Sequence, residues 1–87
     1  MHERGLIQEL MNRVEAELGN GEDRVKTLCF EVGALCDTSP TWLQQGAAHY
    51  ALETWGYTPE VLVEESEDAS GPNALGVTLR SMILVRS

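Results

Sequence analysis

The residues best equipped for chemistry stand at the head of the chain, "MHER", where three kinds of nitrogen donor fall within two peptide units: the α-amine of Met1, the amide of His2 and the imidazole of His2. Glu3 adds a carboxylate and a further amide. A metal held by the amine, a deprotonated amide and the imidazole closes fused chelate rings, and the second amide or the carboxylate completes a plane of four ligands. Square-planar nitrogen and oxygen donors suit Ni(II) or Cu(II), whereas tetrahedral Zn(II) gains less from them. The amine and the imidazole, with reference pKa values of about 7.7–8 and about 6.5, must both be proton-free to bind, so affinity falls with acidity. The alternative reading of the same three residues is a solvent-exposed terminus.

Elsewhere the sequence offers little chemistry. It contains no CxxC pair, no HExxH, no phosphate-cradling glycine loop and no nucleophile elbow, so an enzyme has no supporting constellation. His49, beside Tyr50 in the middle of a helical stretch, reads as a surface or partly buried imidazole with one hydrogen bond. Cys29 and Cys36 read as free thiols, the first at or near the core and the second at a strand end; on a regular strand they point to opposite faces and cannot share a metal. Met11 and Met82 fall at core positions by periodicity. Trp42 and Trp55 sit about 140° apart around a helix and do not share a face, so an exposed indole is a candidate interface anchor, with partial burial against a strand as the equal alternative.

The elements that must position the terminus follow from patterning. From Arg4 to Leu18, Leu6, Ile7, Leu10, Met11, Val14 and Leu18 recur at the steps of three and four that line one face of a helix, with Gly19 placed to end it. "RVKTLCFEVGAL" (24–35) alternates Leu28, Phe30 and Val32 with Cys29, Glu31 and Gly33, a strand with one buried side. "DTSP" starts a second helix, Ser39 capping it and Pro40 occupying the first turn. That helix runs to about Trp55, with Gly56 at its end and Leu43, Ala47, Tyr50, Ala51 and Thr54 as its inner face. "EVLVEE" (60–65) and "LGVTLRSMILV" (75–85) are two further strands around the polar loop "SEDASGPNA". The predicted fold is therefore α/β (α+β), two helices packed on a three-stranded mixed sheet in the order α-β-α-β-β. The strand-helix-strand unit favours a parallel pair, and the short loop permits an antiparallel hairpin before the last strand.

At 87 residues, with 43% apolar and 23% charged residues, the chain supports one domain spanning 1–87 around a single core. Six basic against fourteen acidic residues, a net charge of -8, make nucleic acid and anionic membranes poor partners. The run "EESED" (64–68) reads as a solvated surface. Charges through the first twenty residues and the lack of a long apolar run argue against a signal peptide or a membrane span, and a cytoplasmic location follows. A domain this small would gain stability from a homodimer.

"MHE", the amphipathic helix that follows it, "RVKTLCFEVGAL", "SP", a second helix and "VLVEE" together resemble the nickel-incorporation metallochaperones of [NiFe] hydrogenase and urease maturation, the HypA/HybF family. The resemblance covers about residues 1–66 and extends to the last strand. It implies a nickel-binding, non-catalytic domain in which Met1 through its amine, His2 and Glu3 hold Ni(II) in transit. The partners it implies are a maturation GTPase and the hydrogenase large subunit, or a urease accessory protein. The family inserts a zinc subdomain with two CxxC pairs between the second and third strands; here that interval is only "SEDASGPNA", so no zinc site is expected. The loss of those cysteines also supports a different function, a non-metal interaction module that keeps the HypA-like fold and docks on a maturation partner.

Overall fold

The computed structural model describes residues 2–18, 23–71 and 74–86, with side chains from Gly5 onward. Five elements follow in chain order: α1 (His2–Leu18), β1 (Asp23–Val32), α2 (Pro40–Trp55), β2 (Glu60–Glu65) and β3 (Val77–Arg86). Gly19, read as the cap of the first helix, lies outside the described residues.

The α2 boundaries are set by local chemistry. Ser39 Oγ accepts the Trp42 N–H at 3.3 Å and Pro40 takes the first turn, which satisfies one orphan donor and removes another. At the other end Gly56 adopts φ +81° and donates its N–H to the Leu52 carbonyl at 3.1 Å, a left-handed cap that favours glycine.

The sheet is mixed, with strand order β2-β1-β3. β1 pairs in parallel with β2, from Thr27 opposite Glu60 to Val32 opposite Glu65. It pairs antiparallel with β3, from Asp23 opposite Arg86 to Val32 opposite Val77. The last strand thus forms no hairpin with β2, as the short loop had suggested; it crosses to the far side of β1. The lengths explain the choice, because ten-residue β3 matches ten-residue β1 whereas β2 has six residues. β1 also ends earlier than the sequence pattern indicates. After Val32 the chain keeps two isolated bonds to the segment before β3, Gly33 N–H to Gly76 O and Leu35 N–H to Ala74 O, both 2.8 Å, and then turns back as Cys36 N–H meets Gly33 O.

Two irregularities decide which side chains face which way. Between Val25 and Thr27 one extra residue, Lys26, interrupts the β1–β3 ladder, so Val25 and Leu28 both point to the core despite their odd spacing. Between Cys29 and Phe30 the extra residue is Arg80, on β3. Both helices cover the same sheet face. Leu10, Met11 and Val14 of α1 join Leu43, Ala47 and Ala51 of α2 over Val25, Leu28, Phe30, Val32 and Val61. Thr54, placed on the inner face of α2 by its spacing, is exposed, and Tyr50 is half-buried at the seam with α1. No helix among the described residues is long and apolar enough to cross a membrane.

Candidate metal centre

The Met1–His2–Glu3 set begins where α1 begins. Met1 and the side chains of His2 and Glu3 lie outside the described residues, but the helical backbone starts at His2, two residues earlier than the apolar pattern indicates. The first N–H groups of any helix have no intrahelical acceptor. The amides of His2 and Glu3 are therefore not committed to the helix ladder, the condition an amide must meet before it can lose its proton to a metal.

Below this first turn α1 is held firmly. Leu6, Ile7 and Leu10 pack on the core, and Ile7 comes so close to α2 that a Cβ on Gly46 would lie 2.9 Å from Ile7 Cδ1. A side chain at Gly46 would oblige the end of Ile7 to shift. Further along, Gln8 Nε2 donates to Asn12 Oδ1 at 2.8 Å and to the Tyr50 hydroxyl at 3.3 Å. Glu15 accepts from Trp55 Nε1 at 2.9 Å and from the Tyr50 hydroxyl at 3.4 Å. Because Ile7 meets Gly46 while Glu15 meets Tyr50 and Trp55, the helices run side by side in the same sense, and their amino ends share one pole of the molecule. A helix amino end carries a partial positive charge, which opposes a bare cation; deprotonated amides and a carboxylate would offset it.

The other chemically capable residues gather in three places. His49 is exposed, as expected, with Nε2 3.1 Å from Glu53 Oε1 one helical turn on. It borders an open cleft of about 450 Å³ between α1 and α2, together with Ile7, Gln8, Trp42 and Tyr50. Trp42 and Trp55 are both partly buried against the core, so neither is a free indole anchor. Beside β1, at the level before β2 begins, the Tyr57 hydroxyl accepts the Val25 N–H at 3.0 Å while the Arg24 guanidinium lies 4.3 Å from its ring centroid.

The third place is the uncovered sheet face, and here one residue differs from the sequence reading. Cys29, expected at or near the core, is partly exposed on the face opposite Leu28 and Phe30, and its thiol donates to Glu64 Oε2 at 3.1 Å. Strand alternation, which sends Phe30 inward, sends Cys29 outward. Partial burial and then the neighbouring Glu64 carboxylate push the thiol pKa up, so Cys29 stays protonated. Arg80 bridges two carboxylates on this face, Glu31 at 3.0 Å and Glu64 at 3.6 Å. Its position at the bulge, which no sequence pattern marks, is why this trio was not legible beforehand. Cys36 is a free thiol after the strand end, packed against the core with Sγ 3.3 Å from Thr38 Oγ1. Among the described residues no group of three or more His, Cys, Asp or Glu side chains is placed to hold a metal. No family model, no curated protein and no solved structure matches the chain.

Proposed function

We propose that this chain is a nickel-binding metallochaperone of the HypA type, cytoplasmic and without catalytic activity, which carries Ni(II) to a hydrogenase or urease maturation pathway. The observation that supports this most is the start of α1 at His2: a chelating tripeptide whose amides are free of helix bonds stands on a helix fixed to α2 through Ile7, Gln8 and Glu15. The ligand set is the Met1 amine, the His2 amide and imidazole, and the Glu3 carboxylate or amide. Ni(II) is cargo. Release proceeds by ligand exchange, with the recipient displacing Glu3 first and the amides taking up protons as the metal leaves. The partners are a maturation GTPase and the hydrogenase large subunit, or a urease accessory protein.

Titration of tag-free protein with Ni(II), followed by the visible absorbance of a planar complex, tests the reading. One equivalent is expected to bind, with affinity declining as pH falls through the range where the amine and then the imidazole take up protons. His2→Ala, or a tag placed before Met1, is expected to abolish the planar spectrum and leave the far-UV circular dichroism unchanged. If the His2→Ala protein with an open terminus bound Ni(II) as tightly as the parent, the chelate would be wrong and the docking-module reading would take its place.

A further inference from the structure

The contacts that pin α1 to α2 also fix which residues stand level across the seam. Ile7 lies against Gly46 and Glu15 accepts from Trp55 Nε1, offsets of 39 and 40 residues. The Tyr50 hydroxyl between them accepts from Gln8 and donates to Glu15. An offset that drifts by one residue over two turns keeps the helices abreast. Four residues nearer the amino ends, about 6 Å along each axis, the same register sets Trp42 level with the backbone of Glu3 and Thr41 level with that of His2. Steps of four return to the same side of a helix, so Trp42 faces α1 as Gly46 does. The indole, half-buried, borders the α1–α2 cleft with Ile7 and Gln8, and also the hollow of Asp37, Thr38 and Ser39 before α2. A helical side chain covers the turn on the amino side of its own Cα, here the end at which the metal set begins.

We infer, resting on the chelate proposed above, that Trp42 is a positioning residue of the nickel site: its indole walls the α2 side of the Met1–His2–Glu3 complex and confines ligand exchange to the side that faces solvent. A square-planar complex is open above and below its plane, and substitution at such a metal begins when an incoming ligand enters one of those positions. A ring held beside the complex blocks that entry. Indole suits the place because its nitrogen is a donor only and offers no lone pair to the metal. A histidine or carboxylate there would instead become a further ligand. The wall therefore slows exchange with small competitors while the four donors stay the same, and a recipient must approach from the open side. Trp55 has no such part: at the far end of the seam its N–H is held by Glu15 and its ring meets Tyr50 and Tyr57.

The experiment uses the tag-free full chain as Trp55→Phe and Trp42→Phe, each of which keeps one indole. The two positions are about 20 Å apart along α2, and an ion with a partly filled d shell quenches indole emission only at short range. One equivalent of Ni(II) is expected to quench Trp42 in the first variant several-fold and to leave Trp55 in the second nearly unchanged. Stopped-flow removal of Ni(II) by EDTA supplies the second readout. Trp42→Ala is expected to release the metal several-fold faster than the parent, and Trp42→Phe, which keeps a ring, to restore most of the protection. The emission measurement leaves Trp42 in place, so a folding defect in Trp42→Ala does not remove the test. Quenching of Trp42 no greater than that of Trp55, or release from a folded Trp42→Ala at the parent's rate, overturns the inference while the planar band of the parent stands. A parent without that band overturns the chelate itself, and the wall with it.

Discussion

At Cys29 two influences act in one direction: partial burial disfavours the thiolate, and Glu64, whose carboxylate accepts a hydrogen bond from the thiol, disfavours it further. A group whose folded pKa lies above its unfolded value stabilises the fold below the unfolded pKa, and that contribution is lost as pH rises through the folded pKa. Cys29→Ser removes the titrating group. The urea midpoint of the parent is therefore expected to fall relative to Cys29→Ser as pH is raised through and above the ordinary thiol range, with no divergence at neutral pH; parallel curves throughout would show that the thiol titrates normally. Residue-scale features were unevenly legible. His49 paired with a single neighbour, Met11 in the core and Ser39 at the cap follow directly from spacing and residue type. Cys29 does not, because the tendency of cysteine to be buried and its place in the strand alternation point opposite ways. In a regular strand, the alternation decides.

Among the elements, α2 shows most directly how sequence sets boundaries. Ser39, Pro40 and Gly56 each supply a feature that a helix end requires, and the observed span agrees at both ends with the one read from the sequence. Ser39→Ala is expected to cost about 1 kcal/mol through the lost cap. Gly56→Ala is expected to cost about 1–2 kcal/mol because an L side chain is strained at positive φ. Thermal denaturation of the two variants and of their combination checks both, and the two costs should add, since the sites lie at opposite ends of the helix. The strands were less legible. Their existence follows from alternation, but Lys26 and Arg80 are single extra residues that shift the side-chain phase within a strand, and nothing in their residue types announces a bulge. At the α1–α2 seam Gly46 lies against the Ile7 side chain, a contact that no local pattern encodes.

At the scale of the whole molecule, one core joins all five elements, directly or through partly buried side chains such as Leu79, Met82 and Leu84 of β3. Met11 and Leu43 are fully buried, and replacing either with alanine is expected to cost about 2–5 kcal/mol. A domain of this size has roughly 5–15 kcal/mol in total, so one such variant should melt far below the parent in a calorimetric scan, and the double variant should fail to fold. The composition of the layers was legible in the sequence, because apolar periodicity identified two helices and three strands. Their order across the sheet was not, because the short loop before β3 admits either neighbour and only strand length and the seat beneath α1 select β1. That placement has a consequence for how the chain is made. β1, α2 and β2 can associate as soon as they have been synthesised, but the other flank of β1 and the sheet surface under α1 are completed only by residues 77–86. Until then a nascent chain presents a central strand open along one edge and an apolar helix with part of its seat missing, the kind of intermediate that chaperones bind. Loss of β3 by premature termination should therefore yield a species prone to aggregation instead of a smaller folded protein.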